Sequence, residues 1–154
     1  MTKEKKTLAI TKELSANDTG ATGGHQSGIV IPKDPQILSF FPPLDKKTKN
    51  PRYHLMFYEN DGTRWEFAFI YYNNVYFGGT RNEYRLTRMT PFINQHGLEP
   101  GDSVILSRDP DTGRQYITCQ RAKPPQRTAA GHLKLGSSWK TIRIGKNRNL
   151  GETK

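Results

Sequence analysis

Apolar side chains recur along this chain in short bursts that alternate with polar ones, a period near two rather than the 3.6 of a helix. The bursts are residues 28–32 (GIVIP), 52–59 (RYHLMFYE), 64–72 (RWEFAFIYY), 103–108 (SVILSR), 115–119 (QYITC) and 139–144 (WKTIRI). Each is rich in β-branched and aromatic residues, which fit a half-buried pleated surface. Asn60, Asp61 and Gly62 separate the second burst from the third, and residues 109–113 (DPDTG) separate the fourth from the fifth. Both separators have tight-turn chemistry, so two β-hairpins are predicted. Helical signals are brief: residues 35–41 (PQILSFF) stop at Pro42 and Pro43, and residues 91–95 run into Gly97. The predicted fold is mainly β, a pseudobarrel of about seven strands with one or two short helices.

Two segments break this pattern. Residues 12–27 (KELSANDTGATGGHQS) lose apolar character after Leu14 and carry Gly20, Gly23 and Gly24 among many short hydrogen-bonding side chains. They are not a nucleotide-phosphate loop, because the glycines lead through Gly28 into Ile29 and Val30, a strand rather than a helix. They fit either a flexible surface loop or an arm whose glycines let the backbone approach another molecule. Residues 77–90 (FGGTRNEYRLTRMT) set Arg81, Arg85 and Arg88 around one acid, Glu83. In extended backbone Arg81, Glu83, Arg85 and Thr87 share one polar face. That face fits an exposed strand with local Arg–Glu pairs, which contribute little stability. It also fits a reader of the major groove, since arginine forks onto guanine O6 and N7 and a carboxylate accepts from cytosine N4. A carboxylate is repelled by phosphates, so Glu83 is the residue that favours base edges and a target containing G·C pairs.

Composition narrows the partner. The chain has 154 residues, a length that predicts one domain, and 24 Lys and Arg against 14 Asp and Glu give a net charge of +10. Such an excess favours a polyanionic partner, and a protein that is basic only for solubility has the same charge. The single cysteine, Cys119, excludes an intrachain disulfide and reads as a buried, inert thiol on a strand. His25, His54, His96 and His132 are too widely spaced for a local zinc site. No cofactor or structural metal is expected. No apolar run approaches the ~20 residues that span a bilayer, and residues 1–6 are charged with no signal core behind them. A soluble protein of the bacterial cytoplasm without a membrane partner is expected.

The residues then carry a resemblance. SANDTGATGGHQ at 15–26, its continuation through 32, and YYNNVYFGGTRNEYRLTR at 71–88 closely resemble the N-terminal effector-binding domain of the EcoRII-type restriction endonucleases. The likeness covers residues 12–90 and fades after Thr90. It implies a DNA-binding pseudobarrel like that of plant B-three-type transcription factors, which grips the major groove with two arms at CCWGG, where W is A or T. It places an N-arm at about 12–27 and a C-arm at about 79–90. His25, Arg81, Asn82, Glu83, Arg85 and Arg88 carry over as DNA-binding positions. Lys12, Asn17, Asp18, Thr19, Thr22 and Gln26 join them on the N-arm, with Lys12 expected at a phosphate. The family has lysines where this chain has Gly79 and Tyr84, and a hydroxyl contact from Tyr84 is expected instead.

The expected organisation is a basic leader at 1–6, a pseudobarrel at 7–145, and a basic tail or linker at 146–154 toward a fused nuclease domain. Magnesium is expected only in that catalytic domain, and a monomer on DNA follows from two dissimilar arms in one chain. A nuclease within this chain would need clustered carboxylates and a lysine. The formal match of Pro110 and Asp111 with Glu152, Thr153 and Lys154 puts one acid in a hairpin turn and the other at the terminus, so no catalytic residue is assigned. A regulatory DNA-binding protein of the transcription-factor kind is a second reading of the same pseudobarrel, and a non-specific or RNA-binding basic protein is a third.

Overall fold

The computed structural model describes residues 7–20, 28–122 and 139–142. Eight strands among them form one sheet: β1 (Ala9–Glu13), β2 (Ile29–Ile31), β3 (Arg52–Tyr58), β4 (Arg64–Asn73), β5 (Asn82–Thr87), β6 (Ser103–Arg108), β7 (Gln115–Gln120) and β8 (Trp139–Thr141). Their spatial order is β2-β5-β4-β3-β7-β6-β1-β8. Every pairing is antiparallel except the short parallel contact of β3 with β7 at Tyr58 and Tyr116.

The two predicted hairpins form. Gly62, with φ 93°, turns β3 into β4, and the Glu59 amide donates to the Thr63 carbonyl across the turn at 2.9 Å. Gly113, with φ 78°, does the same between β6 and β7. Both turns need a left-handed residue, which glycine supplies at no steric cost. Asp111 sits exposed in the second turn, its amide bonded to Asp109.

Strand β1 was absent from the sequence prediction. Ile10, Lys12 and Leu14 alternate inward at 0, 7 and 2 % exposure, and the lysine in the middle breaks the apolar signal. Helix α2 (Pro35–Leu38) is shorter than its predicted span. The side chain of Asp34 caps it, and Pro35 occupies its first turn. Phe40 and Phe41, beyond its end, enter the core. Helix α3 (Thr90–Gln95) lies where predicted, one residue longer.

The core is aromatic. Phe57, Phe67, Phe69 and Phe92 are all at most 1 % exposed, and each such ring contributes on the order of 2 kcal/mol by burial. Residues 67–71 of β4 are buried without alternation. Trp65 shares the inward face of that strand with Phe67 and Phe69, and the Phe92 ring of α3 meets it edge-on, centroids 5.4 Å apart. The two outermost strands of the sheet approach each other. The indole Nε1 of Trp139 on β8 donates to the carbonyl of Val30 on β2 at 3.1 Å, so one side chain nearly closes the barrel.

Candidate nucleic-acid interface

The C-terminal segment of interest is a hairpin of β4 and β5 whose tip spans residues 74–81. At the tip the Asn74 amide donates to the Arg81 carbonyl at 2.9 Å. Gly79 faces Asn74 so closely that an added Cβ would lie 2.6 Å from the Asn74 Cβ. The turn therefore has no room for a side chain at this position, where the resemblance would place a lysine.

Alternation on β5 sorts the remaining residues. Glu83, Arg85 and Thr87 point outward and stay part-exposed, whereas Tyr84 and Leu86 point in. Tyr84 is 8 % exposed and stacks on Tyr71 at 4.3 Å and on Phe69 at 5.5 Å. The surface contact expected of Tyr84 is thereby corrected: its inward register makes the ring part of the core.

On the outer face, Oε2 of Glu83 accepts from Arg85 Nε at 2.6 Å and lies 3.6 Å from Arg81 Nε. The Arg81 guanidinium also covers the ring of Tyr72, 5.2 Å from its centroid. Tyr72 pairs with Glu83 across the strands. Glu83 therefore sits between two guanidinium groups and orients both. Local pairing and base reading are compatible here, because all the described contacts of this carboxylate fall on one oxygen. Arg81 and Asn82 are exposed at the end of the row.

The N-terminal segment is built on a short helix that the sequence reading missed, α1 (Ala16–Thr19). Ser15 and Asp18 form a reciprocal capping box, and Gly20, with φ 85°, ends the helix. The spacing Ser-x-x-Asp followed by Gly was the available signal. Asp18 also receives the ammonium of Lys12 at 2.9 Å. Their side chains are only 8 and 10 % exposed. Lys12, expected at a phosphate, is thus held inside the fold by its inward position on β1 and by Asp18. Asn17 is exposed, and the Thr19 hydroxyl returns to the Ala16 carbonyl at 3.1 Å. Thr22, His25 and Gln26 lie outside the described residues.

The chain re-enters at Gly28, with φ 94°, where an added Cβ would stand 2.7 Å from Leu86 O and from Thr87 Cγ2. This close approach lets β2 pair with β5, Val30 opposite Arg85. Arg85 also donates to the Gly28 carbonyl at 3.0 Å. The return of the first segment is therefore fastened to the second.

Between the segments lies an open cavity of about 260 Å³ whose rim includes Asp18, Gly28, Arg52, Tyr72 and Arg88. Arg88 is exposed with φ 71°, a left-handed conformation that costs a non-glycine residue about 1 kcal/mol. Arg52, at the start of β3, was read only as a strand residue, and no local pattern marks it; the register opposite Ile70 brings it to the cavity. No cluster of His, Cys, Asp or Glu able to hold a metal occurs among the described residues, and no described helix is long and apolar enough to cross a membrane.

The family described as the N-terminal domain of restriction endonuclease EcoRII matches residues 3–119. The type II restriction enzyme EcoRII of Escherichia coli is 46 % identical over 80 residues, covering 50 % of this chain and 20 % of the enzyme. Auxin response factor 14 of Oryza sativa subsp. japonica is 32 % identical over 111 residues, 72 % of this chain and 15 % of that protein. The chain thus spans a fifth or less of the length of these relatives. Among solved structures, the Arabidopsis FUS3-DNA complex superposes with a TM-score of 0.56 at 23 % identity, covering 73 % of this chain and 96 % of the other. Its likeness concerns the pseudobarrel fold. With the match spanning most of the barrel, the chain belongs to the EcoRII N-terminal domain family.

Proposed function

We propose that this domain binds double-stranded DNA in a sequence-specific way, presenting its two segments as arms in the major groove of a CCWGG site. The observation that carries the reading is the outward row Arg81, Glu83 and Arg85, preset by ion pairs and fastened through Gly28 to the first arm. Preset donors and acceptors lose less freedom on binding. Arg81, Asn82 and Glu83 face base edges, while Arg52 and Arg88 hold phosphates at the cavity between the arms. The His25 segment reaches the other half-site. The domain carries no catalytic centre of its own and binds as a monomer, delivering or regulating a nuclease domain fused to it in the longer protein.

The test is direct. Arg81→Ala and Glu83→Ala are expected to weaken binding to CCWGG and to relax discrimination at individual base pairs by ~1–3 kcal/mol, read by titration against cognate and one-base-variant duplexes. Equal losses on both duplexes would reduce the two residues to phosphate-contacting or structural ones. The same protein with magnesium is expected to leave plasmid DNA uncut.

The auxin response factor matches favour one other reading, a regulatory domain with the same grip and another target. Selection from a randomised duplex pool separates the two.

A further inference from the structure

Residues 45–50 (DKKTKN) lead into β3 beside the tip end of the β4–β5 hairpin. Lys46, Lys47 and Lys49 are exposed and have no carboxylate within ion-pairing distance among the described residues. The one acid of the segment is turned inward on it: Asp45 accepts from the Lys47 amide at 2.9 Å and from the Thr48 hydroxyl at 3.1 Å.

Three like charges in four residues repel one another, so such a loop disperses unless something holds it. Here the holder is Asn73, at the end of β4 and 2 % exposed. Its amide nitrogen donates to the Lys46 carbonyl at 3.1 Å and to the Thr48 carbonyl at 2.9 Å. Its oxygen accepts from the Asn50 amide at 2.8 Å. Asn50 is itself held at φ 49° directly before Pro51, a residue that disfavours helical backbone at its predecessor. The Lys46 ammonium lies over the rings of Tyr71 and Tyr84, 5.3 and 5.9 Å from their centroids.

Asn73 is the cross-strand partner of Asn82. The loop is therefore fixed to the arm, on the flank opposite the Glu83 row, because Tyr71 and Tyr84 face away from Glu83 and Arg85. A two-stranded ribbon fits a major groove ~12 Å wide, and a sugar–phosphate chain then runs along each of its flanks. Lysine, a flexible point charge, suits phosphates rather than base edges.

We propose that Lys46, Lys47 and Lys49 form a third contact element that binds backbone phosphates of double-stranded DNA, with Asn73 as its positioning residue. This rests on the DNA-binding reading above.

The experiment is fluorescence-anisotropy titration of the full chain on CCWGG and one-base-variant duplexes between about 50 and about 200 mM salt. Wild type is compared with the triple variant Lys46→Gln/Lys47→Gln/Lys49→Gln and with Asn73→Ala. For the triple variant, the plot of log affinity against log salt is expected to be shallower by about 0.9 for each phosphate that is no longer neutralised, up to about 2.7. Both duplexes should weaken by the same factor, leaving their ratio unchanged. Asn73→Ala keeps every charge, yet is expected to flatten the slope in the same direction. An unchanged slope in the triple variant, with discrimination still lost in Arg81→Ala, overturns the loop and leaves the arm reading intact. A changed ratio overturns the phosphate role. Wild type that binds neither duplex removes both proposals.

Discussion

Arg88 is where local conformation and proposed role pull against each other. A residue with a Cβ at φ 71° is strained, and glycine there would relieve it. Arg88→Gly is expected to raise unfolding stability by about 1 kcal/mol while weakening duplex binding, since strain retained at a surface position is commonly tied to function. Thermal melts and anisotropy on one preparation check both halves; a stabilised variant with full affinity would remove Arg88 from the interface. The arginine cluster and Glu83 were legible as chemistry from their residue types alone. The inward turn of Tyr84 follows from its alternation with Glu83 and Arg85, yet the sequence reading set Tyr84 at the DNA instead. Lys12 was not, because nothing in sequence marks a lysine whose partner arrives six residues later on a helix.

At the scale of the element, the root of the first segment shows how one is anchored. Leu14 exchanges backbone hydrogen bonds with the turn before β6, donating to the Asp102 carbonyl at 2.8 Å and accepting from Gly101 at 2.9 Å. Asp102 is 5 % exposed. Its carboxylate accepts from the amides of Glu99 and Ala122, both at 2.8 Å, and from Arg121 at 2.9 Å. Burial alone would raise its pKa, but these donors outweigh burial and hold it below the ordinary carboxylate value. A folded-state pKa below the unfolded one stabilises the fold at pH above ~3.9, and that stability is lost as pH falls through the folded value. Urea unfolding is therefore expected to show a steeper acid loss in wild type than in Asp102→Asn, and a less stable variant at neutral pH. Parallel pH profiles would show that the clamp contributes nothing. The two segments were legible as places where strand chemistry fails. Their internal order was not: α1 is four residues long and rests on a capping box, and the lysine loop is held by an asparagine 23 residues from Asn50.

For the whole molecule, periodicity identified a mainly β barrel and both tight hairpins, because those depend on neighbours in sequence. Strand order did not follow from it. The placement of β1 between β6 and β8 is a long-range pairing with no local signature. The resemblance read from the residues stopped at Thr90, whereas the family match continues to residue 119. Closure is testable at Trp139. Trp139→Phe keeps an aromatic ring and loses the bond to Val30, and is expected to cost about 1 kcal/mol, whereas Trp139→Ala removes a buried indole, at about 3–5 kcal/mol. Chemical unfolding measures both, and a Trp139→Phe variant as stable as wild type would show that the bond contributes nothing to closure.

The short strand β8 has one more implication. It follows the family-matched region, yet it is β8 that covers the outer edge of β1, and β1 leads into the first arm. A fragment trimmed to residues 3–119 would keep the whole family-matched unit and still expose a row of unpaired amides and carbonyls along β1. Such an edge recruits strands from other molecules. A fragment that keeps this edge covered must therefore include the Trp139 strand, twenty residues beyond the end of the family match.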